Sequence, residues 1–175
     1  MKNYFYYYTY LEDRSFHSDI IDVIDRSEDV QKNGTNVKSK MTSWTMMKEP
    51  GFKNLIKPMV EFSKFVMKDK CRVNENFGIV SMWGMCYEDG GYSLPHDHIP
   101  SLVSSVYYIN PPKDGPELVF PEMNESLQPE DGMLVVFPSW VVHEVPKKSF
   151  SGKRYTVAAN MERVWWKNLN ELYRV

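Results

Sequence analysis

Residues 76–110 read NFGIVSMWGMCYEDGGYSLPHDHIPSLVSSVYYIN and contain the pattern that decides the fold. Two runs rich in apolar, β-branched and aromatic residues, FGIVSMWGMCY and SLVSSVYYIN, are typical of strands, and the EDGG after the first is typical of a turn. The same texture continues in ELVFP, GMLVVFPSW, VVHEVP and RYTVAANMERV, with NPPKDGP and PEDG between them. Six such runs without intervening helices predict an antiparallel sandwich or jelly roll rather than a parallel sheet.

The N-terminal part of the chain has a different pattern, which predicts helices packed against the outside of a sheet. Residues 4–11 are aromatic and predict one strand. Apolar side chains then recur at helical spacing over residues 16–24, with Ser15 or Ser18 available as the N-cap. The polar residues 28–40 predict a surface loop.

A second helix is predicted within residues 52–68. Pro58 lacks a backbone N–H, so we expect the helix to begin near Leu55, with the proline in its first turn. At 175 residues the chain is long enough for one domain with a sizeable core. The expected organisation is a single domain 1–175, with 1–75 as helical support, 76–165 as the jelly-roll core and 166–175 as a C-terminal tail.

Composition and charge favour an ordinary globular protein. The chain is 42% hydrophobic and 25% charged with a net charge of −2, so nothing indicates a nucleic-acid surface. Cys71 and Cys86 stand outside any metal-binding or redox spacing, which predicts reduced thiols in a cytoplasmic protein. The start MKNYFYYYTYLEDR has no apolar signal region, and no stretch approaches 18 uninterrupted apolar residues, so neither secretion nor a membrane span is expected.

Three of the four histidines have a spacing that suits a metal site. His96 and His98 form a His-x-His pair, and strand alternation would turn both inward while Asp97 points away. His143 lies in a separate predicted strand that can approach the same point. Neutral imidazole binds Fe, Zn, Cu or Ni, so the pattern predicts a metal centre without fixing the metal.

A cation follows on the last predicted strand, within KRYTVAAN. If Arg154, Thr156 and Ala158 face inward, the guanidinium of Arg154 lies in the same cavity as the metal site. Guanidinium stays charged and binds carboxylates bidentately, which suits the far end of a dicarboxylate. The alternative is a surface arginine paired with Glu144 or Glu162.

Residues 82–161 resemble the 2-oxoglutarate- and Fe(II)-dependent oxygenases, most of all the prolyl-hydroxylase-like branch and oxygenases of phages and bacteria. The resemblance rests on CYEDGGYSLPHDH, SSVYYIN, DGMLVVFPSWVVHEV and RYTVAAN. It implies a double-stranded β-helix (jelly roll, cupin-like) core, Fe(II) and 2-oxoglutarate as cofactors, and a location in the cytoplasm, or in the host cytoplasm for a phage protein. It further implies roles for individual residues: His96 and His143 as metal ligands, Arg154 on the cosubstrate C5 carboxylate, Tyr108 hydrogen-bonded to the cosubstrate, and Tyr87 lining the same pocket.

One position departs from the family pattern, which has His-x-Asp or His-x-Glu where this chain has His96 and His98. Either His98 replaces the carboxylate and gives a neutral three-histidine set, or Asp97 enters through a bulged backbone. Strand alternation favours His98.

The resemblance implies a hydroxylase that converts 2-oxoglutarate to succinate and CO2 while oxidising a small-molecule or peptidyl substrate. Two other functions fit the same residues. A cupin-type dioxygenase would use three histidines without 2-oxoglutarate, and a metal-binding jelly roll would have no catalytic activity. The sequence indicates neither the substrate nor the oligomeric state.

Overall fold

The computed structural model describes residues 6–30 and 34–164, and these form two facing antiparallel sheets flanked by helices. The larger sheet has the order β1 (Tyr7–Tyr10), β9 (Met133–Pro138), β6 (Val103–Ile109), β11 (Arg154–Arg163), β4 (Phe77–Tyr87) and β3 (Lys40–Met41). The smaller sheet has the order β2 (Val37–Lys38), β5 (Tyr92–His96), β10 (His143–Val145), β7 (Leu118–Phe120) and β8 (Glu125–Leu127). The predicted mainly β fold with N-terminal helices and a jelly-roll core is confirmed.

Two helices cover the outer face of the larger sheet. Helix α1 (His17–Arg26) lies against β4, and α2 (Phe52–Asp69) lies against β4, β6 and β9. The contact of α1 is close because Gly84 has no side chain: a Cβ there would lie 2.5 Å from Cγ1 of Ile24. One apolar cluster fills this helix–sheet layer, and its largest fully buried members include Phe52, Phe77, Tyr107, Ile20, Leu55 and Met59.

A second apolar cluster fills the space between the two sheets and surrounds the cavity described below. Its buried members include Trp83, Met85, Tyr87, Val106, Tyr108, Phe120, Val135 and Phe137. Because β11 pairs with β4 on one side and β6 on the other, residues opposite each other share a face. Alternate residues of β11 therefore face this inner layer, and the others face the helices.

The first helix starts differently from the prediction. Neither Ser15 nor Ser18 caps α1: the N-cap is Phe16, and there is no side-chain capping hydrogen bond. The Ser15 N–H is bound instead to Oδ1 of Asp13, at 3.0 Å. His17 begins the helix, with Nε2 2.8 Å from the hydroxyl of Tyr107. This buried contact, rather than a capping side chain, fixes the start of the helix.

The predicted start of the second helix is also wrong. Helix α2 begins at Phe52, so Pro58 lies inside the helix rather than in its first turn. Phe52 is fully buried, and burying an aromatic ring stabilises the extra turn. The carbonyl of Asn54 loses its N–H partner at the proline, but Asn54 is exposed and water can replace that bond.

Several short strands were not predicted. Residues 28–40 were expected to be a loop, yet β2 and the start of β3 lie there. β8 was also missed, and β5 was expected only as a strand carrying His96 and His98, without its observed bounds. The expected strand at residues 4–11 is β1, with residues 4 and 5 outside the described residues, as is the expected tail 166–175. No helix in the described ranges is both long and apolar enough to span a membrane.

Candidate metal centre and adjoining cavity

Three imidazoles meet at one end of the inner layer. His96 ends β5, His143 begins β10, and the two residues are directly opposite each other in the antiparallel pairing. The ring centroids of His96 and His143 are 4.4 Å apart, and each lies 5.0 Å from the ring of His98. One nitrogen from each ring lies within 4.8 Å of the other two, a spacing at which a single ion can be shared.

Strand alternation does not position His98, because β5 ends at His96 and His98 follows the strand. Its backbone N–H donates to the carbonyl of Ser139, 2.8 Å away, which ties this segment to the loop that precedes His143. The ring of Trp83 packs edge-on at 5.5 Å from the His98 ring. A loop contact and an aromatic neighbour therefore hold the third imidazole in position.

Hydrogen bonds select the tautomer of two of the rings. Nδ1 of His96 lies 2.7 Å from the carbonyl oxygen of Leu94, and Nδ1 of His143 lies 3.0 Å from that of Val141. A carbonyl only accepts, so each Nδ1 carries the proton and each Nε2 keeps its lone pair. This is the usual arrangement of metal-binding histidines, whose second nitrogen donates to a neighbouring carbonyl or carboxylate.

The environment keeps the three imidazoles neutral. Burial lowers the pKa of His143 to about 3 and that of His98 to about 4, and the proximity of His96 lowers both pKa values further. Burial also lowers the pKa of His96. Since only neutral imidazole offers a lone pair, the cluster is ready to bind a cation at neutral pH.

Asp97 points away from this cluster. Its side chain is exposed, and Oδ1 accepts a hydrogen bond of 3.1 Å from the backbone N–H of Ile99. It lies at the rim of the cavity and raises the pKa values of His96 and His98, against the larger effect of burial. Asp97 thus acts on the imidazoles through its charge, from solvent.

Arg154, the first residue of β11, is buried at the opposite end of the same cavity. Only 1% of its surface is exposed, and neither Nε nor Nη1 has a hydrogen-bond partner. No carboxylate in the described residues forms an ion pair with it, so the alternative partners Glu144 and Glu162 are not used. A buried cation without a counter-charge is costly, and this one faces a cavity.

Two tyrosine rings flank the guanidinium. Cζ of Arg154 lies 5.0 Å from the ring centre of Tyr87 and 5.1 Å from that of Tyr108. The hydroxyl of Tyr108 is buried without a partner, whereas that of Tyr87 bonds weakly to Sδ of Met85 at 3.5 Å. Burial raises the pKa of Tyr108 to about 12, so its hydroxyl remains a donor.

The cavity that joins the two ends has a volume of about 240 Å³. Oγ1 of Thr156, opposite Tyr108 on the neighbouring strand, is another buried oxygen without a partner. Sequence reasoning placed Thr156 on the inward face but gave it no role. The arginine end therefore presents a cation and two unpaired hydroxyls, the donor set that a carboxylate would satisfy. Trp83 lines the cavity. Trp140 does not line it and is 53% exposed.

Comparison with known families gives a match over the jelly-roll core. Residues 82–162 match the model of the 2OG-Fe(II) oxygenase superfamily. The predicted resemblance is confirmed. This match, which covers just under half of the chain, and the three-imidazole cluster support a 2-oxoglutarate- and Fe(II)-dependent dioxygenase with Fe(II) and 2-oxoglutarate as cofactors. A search of curated protein sequences finds no match.

Solved structures share the fold at low sequence identity. A viral collagen prolyl hydroxylase from Paramecium bursaria Chlorella virus-1, in complex with 2-oxoglutarate, is 17% identical with a TM-score of 0.66, covering 93% of this chain and 98% of that one. A Trichoplax adhaerens prolyl hydroxylase bound to a peptide of hypoxia inducible factor is 17% identical, with a TM-score of 0.64 and coverage of 91% and 84%. HygX from Streptomyces hygroscopicus, with nickel, 2-oxoglutarate and hygromycin B bound, is 10% identical, with a TM-score of 0.67 and coverage of 92% and 84%.

Proposed function

We propose that this chain hydroxylates an unactivated C–H bond of its substrate while converting 2-oxoglutarate to succinate and CO2. The observation that carries the proposal is the pairing of the three-imidazole cluster with a buried, unpaired guanidinium on one 240 Å³ cavity. Neither the imidazole cluster nor the guanidinium stabilises the fold by itself, because burial disfavours both kinds of polar group.

The metal ligands in this proposal are His96, His98 and His143. All three offer a neutral nitrogen at a common point, and the carbonyls behind His96 and His143 direct their Nε2 atoms toward it. The exposure of Asp97 and its bond to Ile99 favour His98 over Asp97 as the ligand. Soft thiolates are absent from the cluster, and nitrogen ligands of this kind suit Fe(II).

The cosubstrate residues in this proposal are Arg154, Tyr108 and Tyr87. The guanidinium would bind the C5 carboxylate of 2-oxoglutarate, with the hydroxyls of Tyr108 and Thr156 as further donors. Tyr87 would hold the guanidinium plane through its ring face, 5.0 Å from Cζ. The donor set fits a carboxylate because Nε and Nη1 of Arg154 and the hydroxyls of Tyr108 and Thr156 have no hydrogen-bond partner inside the protein.

With O2, the Fe(II)–2-oxoglutarate pair supplies the oxidising chemistry. The part of this chain is to hold and orient the reactants. Arg154 would hold the far end of the cosubstrate and so orient its other end toward the metal site. The buried walls around Trp83 and Phe137 exclude water from that point, which strengthens the electrostatic contacts.

Both small-molecule and peptidyl substrates remain compatible with the cavity, as the hygromycin B and peptide complexes of the two solved structures illustrate for those proteins. The free thiols of Cys71 and Cys86 support the proposal that the reaction takes place in the cytoplasm. The net charge of −2 argues against nucleic acid as the substrate.

Anaerobic titration tests this function. Adding 2-oxoglutarate to the Fe(II) protein should produce a visible chelate absorption band, and admitting O2 should then yield succinate. His143→Ala should abolish both signals. His17→Gln serves as the matched control, because it removes a buried histidine from the opposite face of the larger sheet. An unchanged signal in His143→Ala would contradict the metal assignment.

The other two functions correspond to distinct results. Iron binding with no chelate band, together with O2 consumption on another substrate, would indicate a cupin-type dioxygenase. Iron and 2-oxoglutarate binding without any succinate would indicate a binding module without turnover. The unpaired Arg154 favours a 2-oxoglutarate enzyme over both, because neither alternative needs a buried cation.

A further inference from the structure

Beyond the cosubstrate, we propose that Asn160 binds the substrate, donating a hydrogen bond from its side-chain nitrogen to an uncharged carbonyl or hydroxyl oxygen. The inference rests on the proposed function, because it assumes that the metal lies at the three imidazoles. It adds a residue that acts on the substrate side of the metal, away from Arg154.

The register of the larger sheet gives the position of Asn160. Ala158 lies opposite Trp83, whose ring contacts His98, so Ala158 is at the level of the imidazoles. Arg154 is four residues to one side along β11, and Asn160 is two residues to the other. At roughly 3.3 Å per residue, Asn160 is displaced about 7 Å beyond that level. The two polar residues thus lie on opposite sides of the metal.

A hydrogen-bonded row fixes the orientation of the Asn160 carboxamide. Oγ of Ser104 lies 2.9 Å from Oδ1 of Asn160 and 2.8 Å from Oγ of Ser139. Each hydroxyl has one hydrogen, and only one order uses both: Ser139 donates to Ser104, and Ser104 donates to Asn160. With the amide reversed, the fully buried Ser139 hydroxyl would have no acceptor for its hydrogen among the described residues, which is unfavourable.

This order leaves the nitrogen of Asn160 with both of its hydrogens available. The side chain is partly exposed, lines the cavity, and has no other partner in the described part of the chain. A structural asparagine would be expected to pair its nitrogen as well as its oxygen. The donor therefore faces the space that a substrate must cross to reach the imidazoles.

The surroundings select an uncharged acceptor. Among the described residues lining the cavity, Asp97 is the sole carboxylate, and its negative charge disfavours an anionic group. Trp44 also lines the cavity and is 42% exposed, which offers an apolar surface to the rest of the ligand. A neutral amide or alcohol satisfies both conditions.

Paramagnetic relaxation tests the proposal without knowledge of the substrate. Mn(II) and 2-oxoglutarate are bound to the protein first, and metal binding is verified by the relaxation of water protons. The probe is N,N-dimethylacetamide, which can only accept a hydrogen bond. Its methyl protons should relax faster in the presence of the wild-type complex. Asn160→Leu should reduce this enhancement at least threefold, without changing Mn(II) or 2-oxoglutarate affinity.

Two variants separate recognition from structure. Asn160→Asp keeps the shape but offers only acceptors, so it should lose dimethylacetamide and gain the donor-only probe methylammonium. Ser104→Ala removes the bond to Oδ1 and should reduce the enhancement less than Asn160→Leu does. Equal enhancement in wild type and Asn160→Leu, or no change of probe preference in Asn160→Asp, would overturn the proposal. If the proposed metal site is wrong, Mn(II) will not bind, and the water-proton measurement will show this before the probe is added.

Discussion

Replacing Arg154 with methionine should change stability and cosubstrate binding in opposite directions. The guanidinium is 1% exposed, and its Nε and Nη1 have no partner. Each unpaired buried donor costs about 1–3 kcal/mol, and the two tyrosine ring contacts return about 0.5–2 kcal/mol each. Methionine fills a similar volume without a charge. We therefore expect Arg154→Met to raise the unfolding free energy of the ligand-free protein by about 1 kcal/mol, or its Tm by about 2–4 °C.

The same substitution should nearly abolish 2-oxoglutarate binding. A bidentate guanidinium–carboxylate contact contains two charge-assisted hydrogen bonds, each worth about 1.5–3 kcal/mol. Their loss weakens binding by about 100-fold or more, at 1.4 kcal/mol per factor of ten. Wild-type protein should gain thermal stability when the metal and 2-oxoglutarate are added, whereas Arg154→Met should respond to the metal alone.

Thermal unfolding and calorimetric titration measure the two effects on the same samples. Arg163→Met is the matched control: it lies at the other end of β11, is exposed, and forms a surface ion pair of 3.3 Å with Glu75. It should leave 2-oxoglutarate binding unchanged and shift stability by less than about 1 kcal/mol. If Arg154→Met destabilises the ligand-free protein or binds 2-oxoglutarate like wild type, the reasoning about the unpaired cation is refuted.

Three further changes test other parts of the structure. His98→Asp adds a charged ligand and should tighten Fe(II) binding about tenfold, equal to about 1.4 kcal/mol; weaker binding in a competition titration would mean that the histidine geometry matters more than charge. Burial lowers the pKa of His17, so its contribution to stability is full above its unfolded pKa of about 6.5 and is lost as the pH falls through its folded pKa. His17→Gln should accordingly lose less stability than wild type in urea unfolding between about pH 7 and pH 5. Gly84→Ala places a methyl group 2.5 Å from Ile24 and should lower the unfolding free energy by about 1–3 kcal/mol, and an unchanged urea midpoint would show that α1 can shift away.

Strands could be predicted where the pattern is long and apolar. β4 was predicted at its observed bounds, and β6, β9 and β11 within a few residues, because β-branched and aromatic side chains alternate there. The bounds of β5 were missed because YSLPH has no β-branched residue and contains a proline. Its strand conformation depends on pairing with β2 and β10, which are distant in sequence. Tertiary pairing of this kind has no local signal.

The residues of the site could be predicted from the sequence, but part of their arrangement could not. Alternation along β11 placed Arg154 and Thr156 on one face, and spacing identified the histidines that the structure brings together. The sequence could not show that His98 reaches the cluster from beyond a strand, since its position depends on a bond to Ser139. Nor could it show that Arg154 lacks an acidic partner, because Glu144 and Glu162 were both plausible from sequence distance alone.

Buried polar groups without a partner distinguish this protein from one whose core is selected for stability alone. A core chosen for stability would pair a buried arginine or replace it with an apolar residue, and would separate buried imidazoles rather than cluster them. Here the unpaired guanidinium, the clustered imidazoles and the free Asn160 nitrogen all face one cavity. Each of them becomes favourable only when a ligand of the matching chemistry is present. Their order along the cavity, cation, metal ligands and then neutral donor, supports the proposal that cosubstrate, metal and substrate would be held in that order.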